Sequence, residues 1–127
     1  MAIWTELSLR LANSPGALSE VCRVLSEERV NILALTLETG GTLRMVVDNH
    51  VHATETLRER HYQVDQREAI YTTIPNEPGA LARVLRSVAA TGINLEYTYA
   101  TAIDTSPLVG VVIGVADAQR ASAAAGI

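Results

Sequence analysis

One short stretch occurs twice in this chain. Asn13-Ser14-Pro15-Gly16-Ala17-Leu18 returns, with one residue exchanged, as Asn76-Glu77-Pro78-Gly79-Ala80-Leu81, at an offset of 63 positions. The same offset carries Leu18, Val21, Cys22 and Leu25 onto Leu81, Val84, Leu85 and Val88. It also carries Val30-Asn31-Ile32 onto Ile93-Asn94-Leu95. Each copy reads as a strand exit, a tight Pro-Gly turn, a helix, and a second strand opening on apolar-Asn-apolar. A unit of this size is marginal alone, so two copies are expected to bury surface against each other. The expected units are 1–67 and 68–127.

Residues 3 to 11 alternate, with Ile3, Leu7, Leu9 and Leu11 on one face and Trp4, Glu6, Ser8 and Arg10 on the other. That period of two is a half-buried strand. Ser14 is placed to cap the following helix, with Pro15 at its first position. Leu18, Val21, Cys22 and Leu25 form its core stripe, and Cys22 is read there as packing, not as a nucleophile. Residues 32–38 and 43–47 are strands joined across Gly40-Gly41, a strong hairpin signal. Asp48 or Asn49 can cap a second helix, His61 sits where that helix needs a left-handed residue, and Tyr62 to Val64 begins a fourth strand. The order is β-α-β-β-α-β, the ferredoxin-like unit.

Residues 69–74 open the second unit. Its first helix runs from about Pro78 to Ala90, with Gly92 just beyond the end. Residues 93–101 and 108–115 are strands, and Asp117 caps a short Ala-rich helix. The second unit therefore lacks its last strand. Either an edge stays open, or another segment or chain fills it. The fold class is α+β, with two βαββαβ units in tandem, antiparallel sheets, and helices on one face.

Strict alternation puts Ile93, Leu95, Tyr97 and Tyr99 towards the helices, so both tyrosines are expected in the core. Carried back by 63, it leaves Leu33, Leu35 and Leu37 on the open face of the first sheet. That apolar patch suggests packing against another sheet, in the chain or across a dimer, and Trp4 could join such a contact.

The frame Asn-x-Pro-Gly-Ala-Leu, helix, then Val/Ile-Asn-Ile/Leu resembles the ACT domain, a small regulatory module of ferredoxin-like fold. The match occurs twice, at 13–37 and at 76–100, and the element order fits nearly the whole chain. The resemblance is to stand-alone tandem ACT proteins. It implies a non-catalytic sensor that binds an amino acid at the interface between ACT units, with no cofactor. It also implies ligand contacts from Asn13, Ser14, Pro15, Gly16 and Asn31, and from Asn76, Glu77, Pro78, Gly79 and Asn94. Some members add a His two residues before the motif Asn. Leu11 and Ile74 stand there in this chain, which suits aliphatic or aromatic ligands better than serine-like ones.

The residues carry that chemistry independently. Pro-Gly at a helix start leaves backbone N–H groups facing outwards, backed by the positive end of the helix dipole. A carboxylate fits such a place. Glycine allows close approach, and an asparagine amide can both donate and accept. The plainer alternative is that Pro-Gly shapes a turn and Asn13 caps a helix. By topology, the turn and the second-strand Asn of one unit lie at opposite ends of its sheet. If the two units of the chain pair antiparallel through their second strands, Asn13 meets Asn94 and Asn76 meets Asn31. The chain is then a pseudo-dimer with two nonequivalent pockets. Glu77 in place of Ser14 would repel a carboxylate, so the Asn13 site is expected to bind it better.

Other classes fit less well. Net charge is −4, and the ten basic residues, all arginine, are scattered, which gives no general attraction to nucleic acid. No apolar run spans a membrane or resembles a signal peptide, and a single cysteine excludes an intrachain disulfide. The expectation is a cytoplasmic protein, most simply a homodimer, with an unidentified regulated partner. Asp48, His50 and His52 are too few for a metal site. An acylphosphatase-like hydrolase needs an Arg in the first strand–helix loop, and neither loop has one. A dimerisation module without ligand is the remaining alternative.

Overall fold

The computed structural model describes residues 2–127. Its elements are β1 (Ile3–Arg10), α1 (Ala17–Glu27), β2 (Ile32–Leu37), β3 (Thr42–Val47), α2 (His50–Glu59), β4 (Asp65–Pro75), α3 (Ala80–Ala89), β5 (Leu95–Thr101), β6 (Leu108–Val115) and α4 (Ala118–Ala125). The chain divides into two compact units, Thr5–Arg67 and Glu68–Ile127, and residues 2–4 belong to the second. The fourth strand that the sequence begins at Tyr62 to Val64 and the strand that it opens at Ala69 are one eleven-residue strand, β4, from Asp65 to Pro75.

In the first unit β3 pairs antiparallel with β1 on one side and β2 on the other. Leu7 and Leu9 from β1 and Leu43, Met45 and Val47 from β3 meet Val21, Val24 and Leu25 of α1 and Ala53 and Leu57 of α2 in one core. The stripe of α1 is rotated slightly from the expected one: Val24 is buried, whereas Cys22 is only half-buried. Asn49 caps α2 by accepting the His52 N–H at 3.1 Å. His61 follows that helix at φ 70, the left-handed angle that ends a helix.

The second unit repeats the plan, with β6 between β4 and β5. Ile70, Ile74, Val84, Val88, Val109, Val111, Ile113 and Val115 form its core, closed by Ala118 and Ala121 of α4. Asp117 caps α4 through the Arg120 N–H. Among the described residues no strand follows α4, and residues 2–4 belong to this unit. The Tyr71 N–H donates to the Ala2 carbonyl at 2.8 Å. Trp4 meets Tyr71 edge to face, with ring centroids 5.3 Å apart, and Ala2 and Ile3 pack against the core.

The second strand of each unit departs from strict alternation at the same place. Ile32 pairs with Val47 but Ala34 pairs with Val46, so Leu33 is an extra residue, a β-bulge. In the other unit Leu95 pairs with Val115 and Tyr97 with Gly114, so Glu96 bulges. Leu33 and Glu96 correspond at the offset of 63. A bulge inserts one residue and exchanges the faces beyond it. Leu35 and Leu37 therefore pair with the core residues Met45 and Leu43 and share their helix-side face, contrary to the open-face leucine patch expected from alternation. They remain 37% and 45% exposed because β2 is an edge strand.

Tyr97 and Tyr99 move the other way. They lie opposite Gly114 and Val112, on the face away from the helices, with ring centroids 6.4 Å apart. They do not fill the core. The Tyr97 ring lies over Gly114, where a Cβ would come within 2.2–2.5 Å of it. Glycine at 114 is therefore required by the ring, not by a turn.

Candidate functional site

The repeated turns begin their helices in the same way. Gly16 stands at φ 82 and Gly79 at φ 86, both left-handed, and neither helix start has a side-chain cap. Ser14 is thus not the N-cap of α1, and Pro15 lies ahead of its first turn, because the left-handed glycine moves the helix start on to Ala17. Ala17 donates to the Ser14 carbonyl and Glu20 to that of Gly16. Ala80 and Arg83 make the matching bonds to Glu77 and Gly79. Helix geometry leaves the N–H groups of the intervening first-turn residues, Leu18 and Ser19 or Leu81 and Ala82, without an intrahelical acceptor.

Around these shared frames the two turns differ. Asn13, Ser14 and Gly16 line a cavity of about 290 Å3, bounded by Leu11, Ala17, Leu18 and the hairpin residues Leu37, Glu38 and Thr39. Asn13 is exposed at its rim. Its counterpart Asn76 is already committed. Both hydrogens of its amide go to carbonyls of the β5–β6 loop, Ile103 at 3.1 Å and Ser106 at 2.9 Å. Its backbone N–H takes the Pro107 carbonyl at 3.0 Å. Glu77 likewise has a partner: Arg83 Nη2 lies 2.8 Å from its carboxylate. Arg83 corresponds to Glu20, which pairs instead with Arg23. Arg23 also bonds Glu27, and its hydrogen bond holds the Glu20 carboxyl below the usual carboxylate range.

The second-strand asparagines lie elsewhere in their units. Asn31 lines a groove of about 430 Å3 with Cys22, Ser26, Arg29, Val30 and Ile32. Asn94 lines one of about 500 Å3 with Leu85, Val88, Ala89, Gly92, Ile93 and Leu95. At the offset of 63 these linings correspond nearly residue for residue, so this is one groove made twice. In the first copy the Asn31 N–H donates to Asp48 Oδ1 at 3.0 Å, and the Asp48 N–H donates back to the Asn31 carbonyl at 3.0 Å. That clamp holds the strand start and leaves the amide side chain exposed. Asn13 and Asn31 thus line separate cavities.

β2 is hydrogen-bonded to β3 and β5 to β6 along one edge each. Each is the edge strand of its own unit. A larger cavity of about 520 Å3, lined by Ser8, Arg10, Thr42, His61, Gln63 and Asp65 among others, contains none of the repeated motif. His52 Nε2 lies 3.3 Å from Glu28, and no group of three or more His, Cys, Asp or Glu is gathered among the described residues. No helix among them is long and apolar enough to cross a membrane.

The residue that sequence reasoning passed over in these grooves is Arg29. The signal was available, since the offset places Arg29 on Gly92, a charged side chain where the repeat has none.

A family model described as an ACT domain pair matches residues 1–123. The chain belongs to the ACT domain pair family. Among solved structures it is similar to protein BT0572 from Bacteroides thetaiotaomicron, at 32% identity and TM-score 0.87, covering 97% of this chain and 86% of that one. It shares the fold of the regulatory subunit of aspartate kinase from Thermus thermophilus, at 20% identity and TM-score 0.69, over 96% and 88% of the two chains. The corresponding subunit from Thermus flavus matches at 18% identity and TM-score 0.65, over 99% and 95%. A search of the curated proteins finds no match.

Proposed function

We propose that this ACT domain pair is a non-catalytic sensor of an amino acid, bound where a turn of one ACT unit faces the second-strand Asn of another. The observation that carries this reading is the uncapped start of α1. Gly16 turns the N–H groups of Leu18 and Ser19 outwards beside the exposed amide of Asn13, at the mouth of a cavity of about 290 Å3. Oriented N–H groups at a positive helix end suit an α-carboxylate, and the asparagine amide can accept from an ammonium group.

The unpaired edges of β2 and β5 favour a homodimer as the assembly that completes the site. A second copy pairing antiparallel along them would bring Asn13 towards Asn94, and Asn76 towards Asn31. Ser14, Pro15 and Gly16 shape the first turn. Pro78 and Gly79 shape the second, where the Glu77–Arg83 pair and the tethered Asn76 make a weaker receptor. The same edges, with exposed Leu35 and Leu37 beside one of them, favour a second reading, a dimerisation module without ligand.

A thermal-shift screen of the twenty amino acids separates the two, because a ligand bound only by the folded state raises stability, by about 2.7 kcal/mol at a hundred times its Kd. The stabilisation should disappear in Asn13→Ala and survive in Asn76→Ala. Loss in Asn76→Ala with Asn13→Ala unaffected would reverse the ranking of the turns. A flat screen would leave the dimerisation reading.

A further inference from the structure

Arg29 follows α1 at φ 57, in a region that costs an L residue and that glycine enters freely. The repeat has glycine at the corresponding place, Gly92 at φ 75, with nothing within 4 Å of where its Cβ would stand. The position is therefore sterically open, and only the backbone angle disfavours a side chain. A strained residue kept beside a cavity is a pointer to function, and the lining of the groove agrees.

Ser26, Asn31 and the Cys22 thiol share the first groove with Arg29, whereas the second offers Ala89, Asn94, Leu85 and Gly92 at the same places. The carboxylates nearest in sequence are already engaged: Glu27 with Arg23 and, at 4.0 Å, with Arg60, and Glu28 with His52. Asp48 is held by the Asn31 N–H. Arg29 has no ion pair or side-chain hydrogen bond among the described residues.

We propose that the groove at the start of β2 takes the side-chain carboxylate of an acidic amino acid on Arg29, while the groove at the start of β5 takes an apolar side chain. This rests on the reading that Asn31 and Asn94 mark ligand sites. In the pairing proposed above the Arg29 groove faces the Asn76 turn, the weaker receptor for an α-carboxylate. An acidic ligand there is held chiefly through its side chain on Arg29, and the two repeats sort ligands by side chain. A guanidinium meets a carboxylate with two parallel hydrogen bonds, and Ser26 and Asn31 can add donors.

The test is calorimetric titration and thermal melting of the full chain with L-aspartate, L-glutamate, L-asparagine and L-glutamine, for the wild type, Arg29→Gly and Arg29→Lys. The amides keep the α-carboxylate and lose only the side-chain charge. The acids should bind the wild type more tightly than the amides. Arg29→Gly should weaken the acids on the order of tenfold or more, as losing a charged hydrogen bond does, with amide binding unchanged. Without ligand it should melt a few degrees higher, and Arg29→Lys should keep part of the affinity for acids. A merely structural Arg29 would not raise stability and lower affinity together. Amides that match the acids, or Arg29→Gly that binds acids like the wild type, would overturn this inference and leave amino-acid sensing intact. If no amino acid in the wider panel stabilises the wild type, the sensor reading falls and takes this inference with it.

Discussion

The turn that begins α1 can be tested at Gly16. Its backbone stands at φ 82 and ψ 0, and nothing lies within 4 Å of the position a Cβ would occupy. Gly16→Ala therefore meets no steric obstacle, and its whole cost is conformational. An L residue in the left-handed region costs about 1–2 kcal/mol, and alanine is also a poor residue at a helix start. The unfolded-state gain that usually favours Gly→Ala requires native angles that alanine can adopt, which Gly16 does not have. The expected loss is about 1–2 kcal/mol, or roughly 4–8 °C for a chain of this length.

Gly79→Ala is an internal repeat of the experiment. Its φ is 86, and its Cβ would meet Arg83 Nη1 at 3.6 Å, an ordinary contact, so its loss should agree within about 0.5 kcal/mol. Gly40→Ala is the control, because Gly40 has open space and no left-handed φ; it should change stability by less than about 0.5 kcal/mol. Gly16→Asn should recover part of the loss, since asparagine visits the left-handed region. Urea unfolding with unchanged m-values reads all four. A Gly16→Ala midpoint equal to that of Gly40→Ala would refute the left-handed turn as the element holding this helix start, and the outward N–H groups with it.

Two other expectations concern single contacts. Gly114→Ala drives a methyl group into the Tyr97 ring, which has to leave its place beside Tyr99; overpacking of this kind costs about 1–3 kcal/mol, and Tyr97→Ala combined with it should restore part of the loss. Additive losses in that double mutant would sink the clash as the cause. The Glu20 carboxyl, held low by Arg23, should titrate by NMR below the ordinary glutamate value. A depressed folded pKa means that its contribution is present above the unfolded value of 4.5 and is lost as pH falls through the folded one. Arg23→Ala should return the midpoint to the ordinary range, and an unmoved midpoint would exclude the pair.

The sequence makes the repeat, the helices and the hairpin legible because each rests on a local signal: the Pro-Gly turn, Asn49 and Asp117 as caps, Gly40-Gly41 between strands. The core of each unit follows from periodicity, with Leu7, Leu9, Val21 and Leu25 where the stripes put them. What alternation misplaces is everything beyond Leu33 and Glu96. A bulge has no fixed residue signature, and one extra residue reverses every later side chain. Strict alternation therefore puts Leu35, Leu37, Tyr97 and Tyr99 on the wrong faces together. The candidate site residues are legible as a motif, but not their commitments. Nothing in the local sequence says that Asn76 reaches across to Ile103 and Ser106, because that contact depends on a loop 27 to 30 residues away.

The places where the two copies differ separate what the fold needs from what it leaves free. Positions that close the cores stay apolar: valine stands in both copies at Val21 and Val84, and Leu25 is matched by Val88. Changes of chemical character occur along the strands, as at Glu6 and Ala69 or Leu33 and Glu96, and also at the turns and grooves, in Ser14 and Glu77, Cys22 and Leu85, Ser26 and Ala89, Arg29 and Gly92. Exposed surface tolerates such exchanges within about 0.5 kcal/mol; Arg29 differs. There the backbone is left-handed in both copies, glycine is the better residue for the fold, and the chain carries arginine beside a groove with an exposed Asn. Of these differences Arg29 is the one that the left-handed helix end itself disfavours, and the proposed acidic ligand is what would account for it.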